Sequence, residues 1–163
     1  MVAKLNLGCH CFKLDGFCNI DIDPEVKPDM LLDLKHLSDC FDPNTIDFIH
    51  AGHILEHMPS GDALKLLNDC FTILKPCCSM LVIVPNYEIA TKVCEWPMAE
   101  KVILANGDHK QIYNDKKLLE LFKASSFTYF YNIGINNIPY MIYSDRNNPM
   151  PDPWQSTMLA IKL

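Results

Sequence analysis

The sequence predicts an α/β fold built on a doubly wound, mostly parallel sheet, and three observations carry that expectation. Strand-like and helix-like segments alternate from the first residues almost to the last, the order that builds βαβ units. The unbroken apolar run Leu81-Val82-Ile83-Val84 suits a strand covered on both faces at the centre of a parallel sheet. A short apolar strand also runs into a lone glycine, Gly8, and the next ends in the acidic cluster Asp21-Ile22-Asp23. Glycine at the first strand's end allows close backbone approach, and a carboxylate at the second can take both hydroxyls of a ribose. Taken alone, the same pair also fits a tight turn and a solvated acid.

Residues 4–7 read as the first strand and 17–22 as the second. Only 10–17 lie between Cys9 and Cys18, fewer than a parallel crossover normally needs, so the usual helix must shrink to a turn or be replaced by a loop. Residues 30–34 and 46–51 give a third and a fourth strand, the latter after the turn signal Asp42-Pro43-Asn44. Ala63, Leu66, Leu67, Cys70, Phe71 and Leu74 repeat at three-and-four spacing and predict a helix over 61–74, stopped by Lys75-Pro76. After the 81–84 strand, Pro85-Asn86 ends it and a helix is expected over 88–95. Another helix should begin near residue 114, capped by Asn114 or Asp115, with Leu118, Leu119, Leu121 and Phe122 turned inward. Residues 127–133, 140–143 and 157–163 read as closing strands, and 144–156, with Pro149, Pro151 and Pro153, as loop.

The 163 residues suit one domain, and 49% hydrophobic with 21% charged residues can bury a sizeable core. A formal charge of −6 argues against nucleic acid or an anionic membrane as the main partner. The longest apolar run, 80–84, is far too short to span a bilayer, and nothing in the opening residues reads as an export signal. A cytoplasmic protein with reduced thiols follows as the expectation for the eight cysteines, two of them adjacent at Cys77-Cys78.

The order Lys4-Leu-Asn-Leu-Gly-Cys9, Gly16-Phe-Cys-Asn-Ile-Asp-Ile-Asp23, Asp47-Phe-Ile-His-Ala-Gly-His-Ile-Leu-Glu-His57, Ile73-Leu-Lys-Pro76 and Leu81-Val-Ile-Val-Pro85 resembles the class I S-adenosylmethionine-dependent methyltransferases. The resemblance covers about residues 4–127, including His109 and the helix after it. It implies a seven-stranded, mostly parallel Rossmann-like sheet with an antiparallel closing strand, S-adenosyl-L-methionine as cofactor, and methyl transfer to an acceptor that the residues do not identify. It further implies that Asn6, Gly8 and Cys9 border the methionine part, that His10 lies against the cofactor, crowding it or closing over it, and that Asp21 holds the ribose. Asp33 and Leu34 fall where the adenine is read, and Ala51, Gly52 and His53 beside the sulfonium. His53 and His109 are the candidate catalytic bases where the acceptor must lose a proton, histidine being the side chain that commonly serves in this role near neutral pH.

Three departures from the family pattern stand out. His10 and the pair Cys77-Cys78 occupy glycine positions, and Asn6 replaces a frequent acid. They make a lapsed, cofactor-binding or interaction protein the alternative reading. Two zinc readings are weaker. Cys9-His10-Cys11 with Cys18 lacks paired Cys-x-x-Cys hooks, and His53-x-x-Glu56-His57, an inverted zinc-protease signature, is interrupted at once by Met58-Pro59. No metal is implied by the resemblance, and Glu56 and His57 read as structural or pocket-edge residues. Tyr129, Tyr131, Tyr140 and Tyr143 read as strand packing rather than a base-stacking platform. With the loops 96–109 and 144–156 left to build an acceptor pocket, the site could take a small or macromolecular acceptor. A second copy or a partner subunit could close it.

Overall fold

The computed structural model describes residues 3–93, 95, 98–133 and 155–163. Seven strands form one sheet in the order β3-β2-β1-β4-β5-β7-β6. These are β1 (Lys4–Leu7), β2 (Cys18–Asp21), β3 (Met30–Leu31), β4 (Ile46–Gly52), β5 (Leu74–Pro85), β6 (Tyr129–Asn132) and β7 (Gln155–Ile161). The pairs from β3 through β5 are all parallel, and β7 runs antiparallel to both β5 and β6, so one strand closes an otherwise parallel sheet. The predicted strand over 140–143 and residues 144–154 of the proline-rich loop lie outside the described residues.

Helix α1 (Leu37–Cys40) is a single turn, and α2 (Ser60–Ile73) is the helix that the apolar spacing predicts. Ala63, Leu66, Leu67, Cys70 and Ile73 of α2 are buried against Leu5, Leu7, Ile49 and Val82 in one continuous core. Its end differs from the expectation. Leu74 turns to φ −64°, ψ 140°, and the chain passes directly into β5, so Lys75-Pro76 lies within a strand instead of following a helix. Between Ile46↔Leu74 and Phe48↔Ser79 the pairing slips, and Cys77 takes up the slack at φ 64°. A bulge can absorb extra residues in this way.

Helix α3 (Tyr87–Val93) begins where the Asn86 side chain accepts from the Glu88 and Ile89 amides at 2.9 and 3.2 Å. Helix α5 (Asp115–Ala124) is capped by Asn114, which accepts from Lys117 N at 2.8 Å. The segment expected as loop over 96–109 instead contains α4 (Met98–Leu104) and a 3-10 turn, Ala105–Gly107. Seven residues are too few for the three-and-four apolar spacing to declare itself in sequence. The third strand is also shorter than expected, because Asp33 caps a 3-10 turn, Leu34–His36, by accepting from Lys35 N. Among the described residues no helix is long and apolar enough to cross a membrane.

Candidate functional site

Strand β1 has β2 on one side and β4 on the other, so chain connections diverge at its carboxyl end and open a crevice there, the usual ligand position in open α/β sheets. A cavity of about 450 Å³ fills that crevice. Gly8 forms its floor at φ 62°, and a Cβ there would come within 2.6 Å of the Ile54 side chain, so glycine serves both backbone angle and close packing.

The short crossover from β1 to β2 is a loop, held by side chains where a helix would ordinarily stand. Buried Asn6 donates from Nδ2 to the Phe12 carbonyl and to Asn19 Oδ1, both at 2.9 Å. Asn19 Oδ1 in turn accepts from Leu14 N at 2.8 Å, and its Nδ2 donates to Asp29 at 2.7 Å. Asn19's two hydrogen bonds, from backbone and side chain, hold the Asp29 carboxyl below the ordinary range. A carboxylate at position 6 could not donate to the Phe12 carbonyl, so the amide is what this short connection requires. Asn6 Oδ1 accepts from His50 Nδ1 at 2.8 Å, and burial of His50, with His53 nearby, lowers the ring's pKa to about 4. His50 is therefore a neutral interior residue.

Asp21 ties the mouth of the crevice together. Its Oδ2 accepts from His10 N at 2.7 Å and its Oδ1 from Asp23 N at 3.0 Å. His10 holds φ 43°, a left-handed conformation in a residue with a Cβ.

A different kind of structure lies beyond β4. His53, at φ 56°, donates from Nδ1 to Glu56 Oε1 at 3.0 Å, and its Nε2 accepts from the Gln155 amide at 2.6 Å. Glu56 is 1% exposed, in a 3-10 turn, Leu55–His57. Its carbonyl accepts from Lys110 N and Gln111 N at 2.7 and 3.0 Å, which fastens the segment after α4 to this turn. His109 thereby packs edge-on against His57 with ring centroids 4.7 Å apart. Burial, and then the Glu56 charge, push the Tyr113 hydroxyl upward, so it stays protonated.

Of the residues singled out by sequence, Gly8, His10, Asp21, Asp33, Leu34 and His53 line the cavity together. Asn6, Cys9 and Ala51 lie beneath it, buried, and burial raises the Cys9 thiol pKa to about 11. Gly52 backs onto the His50 ring. His109 stands outside the cavity, behind His57, which does line it. Sequence reasoning did not assign Ile54, Met58 or Lys35 to this cavity; Ile54 lies within the quoted motif and Met58 directly after it, but nothing in their type signals a ligand. The cysteines described are all free.

These features define the class I S-adenosylmethionine-dependent methyltransferase fold, and solved structures agree. The chain is similar to an S-adenosylmethionine-dependent methyltransferase from Archaeoglobus fulgidus, with TM-score 0.70 and 14% identity, covering 99% of this chain and 86% of that one. It is similar to another from Thermotoga maritima, with TM-score 0.68 and 13% identity, covering 100% and 83%. A complex of the Haloferax volcanii Trm112 methyltransferase activator with a methyltransferase is also similar, with TM-score 0.63 and 15% identity, covering 99% and 82%. No family model and no curated protein matches the sequence.

Proposed function

We propose that this chain is a single-domain, cytoplasmic methyltransferase that binds S-adenosyl-L-methionine in the β1–β4 crevice and passes its methyl group to an acceptor at the His53 side. The observation that carries this reading is the convergence of Gly8, Asp21, Asp33 and His53, far apart in sequence, on one cavity of about 450 Å³. Asp21 receives the ribose hydroxyls, Asp33 with Leu34 receives the adenine, and the turn at Gly8 admits the methionine part.

The sulfonium of the bound cofactor supplies a methyl group already activated for displacement. Asp21, Asp33 and the turn at Gly8 would hold such a cofactor, and an acceptor on the His53 side would lie in line to take the methyl group, with sulfur left as a neutral thioether. The chain's task is alignment and exclusion of water, which supplies roughly 7–11 kcal/mol in the best intramolecular cases. Where the acceptor must lose a proton, His53 is the base favoured over His109, because it lines the cavity and Glu56 fixes its ring. Its contact to Gln155 must open first. The acceptor, small or macromolecular, reaches this side, and a second copy or a partner subunit completes the wall, as an activator accompanies the similar Haloferax protein. The alternative, a cofactor-binding protein without turnover, draws on His10 and Cys77, which adopt φ 43° and 64° at positions where the family has glycine.

Thermal unfolding with S-adenosylhomocysteine tests the reading. At about 100 times its dissociation constant the ligand adds about 2.7 kcal/mol, a rise of roughly 5–10 °C for a chain of this size. The expected result is a saturable rise that Asp21→Ala diminishes. No rise at millimolar ligand overturns the proposal.

A further inference from the structure

Of Glu56, His57 and His109 only His57 lines the donor cavity, and the three together have a geometry of their own. Each residue offers one ligand atom, and the three atoms lie within 4.8 Å of one another. His57 donates from Nδ1 to Asp108 Oδ2 at 2.8 Å, and His109 donates from Nδ1 to the Ile103 carbonyl at 2.7 Å. With both Nδ1 atoms engaged as donors, each ring keeps its Nε2 lone pair for another partner. Metal-binding histidines are held in this way, one ring nitrogen on a carboxylate or carbonyl and the other on the ion. Glu56 supplies the independent observation. It is buried, Oε1 is engaged by His53, and Oε2 has no hydrogen-bond partner. A buried carboxylate oxygen without a donor is what a cation would satisfy.

We propose that Glu56, His57 and His109 bind a first-row divalent cation, with the two imidazoles and one carboxylate as ligands. Two nitrogens and one oxygen suit Zn²⁺ or Co²⁺, whose bonds of about 2.0–2.2 Å put tetrahedral ligand atoms about 3.4 Å apart. The three atoms, within 4.8 Å of one another, therefore draw together by up to about 1.4 Å on binding. The two histidines are only half-buried, which leaves solvent access and an open coordination position. His57 also borders the donor cavity, so an ion held there lies next to that cavity. The occupant of the open position is an oxygen donor on the acceptor, a hydroxyl or carboxylate. This last step rests on the methyl-transfer reading, whereas the metal site rests on the cluster alone.

The test is a titration of the full chain with CoCl₂, followed by the visible cobalt spectrum. One equivalent should bind with a d–d band and no thiolate-to-cobalt charge-transfer band, since no cysteine belongs to the site. His109→Ala should abolish the band. Glu56→Gln should weaken binding at least tenfold, Asp108→Asn about tenfold through the ring it orients, and Cys11→Ser should leave it intact. Circular dichroism checks each fold, and His57→Gln replaces any variant that fails to fold. A thiolate band, no band, or binding that survives both His109→Ala and His57→Gln overturns the site. S-adenosylhomocysteine stabilisation is read on the same samples. A thermal rise without the cobalt band removes the metal site and spares the methyl-transfer reading, and a band without the rise does the reverse.

Discussion

The two sides of the β4 tip are built differently. On the donor side Asp21 and Asp33 are half-buried acids whose oxygens accept from the backbone amides of His10, Asp23 and Lys35. Beneath the crevice and beyond β4, the polar groups are buried side chains bonded to one another, Asn6 with Asn19 and His50, and Glu56 with His53. Loops held by half-buried acids can open for a ligand at less cost than a fully buried polar network takes to break. Stability should therefore respond to the buried side and ligand affinity to the donor side.

Acid tests this difference most strongly. His50 has an ordinary pKa of 6.5 unfolded and about 4 in the fold, so between those values the unfolded chain binds the extra proton. Stability is full above pH 6.5, falls as the pH drops toward 4, and levels off for this group below that. The loss amounts to about 3 kcal/mol at 1.36 kcal/mol per pKa unit. Denaturant unfolding across that range, compared with His50→Asn, isolates it. Asparagine keeps a donor toward Asn6 Oδ1 and cannot take up a proton, so its curve should be flatter. An equal slope in both proteins would place the acid sensitivity elsewhere.

Gly8→Ala acts on the other side. Alanine at φ 62° costs about 1–2 kcal/mol, and its Cβ displaces Ile54, whose flexible end can rotate away. A net loss of about 2 kcal/mol in stability is expected. Ile54 lines the cavity, so the S-adenosylhomocysteine shift should shrink further than that loss explains. A variant of lowered stability with undiminished ligand shift would contradict the division between the two sides.

The parts of this structure legible in sequence are those fixed by local chemistry. The inward face of α2, the Asn114 cap of α5 and the ends of β1 follow from spacing and residue type within a few positions. Helix α4 was missed because seven residues carry too little periodicity. Asn6 illustrates a deeper limit. In sequence it reads as a missing acid, and only the Phe12 carbonyl brought beneath it by the short crossover shows why an amide is needed. The histidine side was hidden for a similar reason. His53-x-x-Glu56-His57 and His109 are separate signals until the Glu56 carbonyl binds the amides of Lys110 and Gln111 and closes the cluster. Contacts across such distances leave no local pattern to read.

The smallest effect separates strain from function. His10 and Cys77 both hold left-handed backbone, at φ 43° and 64°, a conformation that costs a residue with a Cβ about 1–2 kcal/mol relative to glycine. Glycine gives back roughly 0.5–1 kcal/mol by loosening the unfolded chain. Each of His10→Gly and Cys77→Gly should therefore raise stability by about 0.5–1 kcal/mol, a gain of roughly 1–4 °C. The two differ in what else they change. Cys77 sits in the β5 bulge, with its amide on the Lys162 carbonyl, and does not line the cavity, so its variant should leave the ligand shift alone. His10 lines the cavity and donates its amide to Asp21, so its variant should alter the ligand shift. If His10→Gly tightens S-adenosylhomocysteine binding and creates methyl transfer absent from the parent chain, the lapsed reading replaces the active one. If it weakens binding, the histidine is part of the cofactor's wall, and its backbone strain is maintained by the site it helps to form.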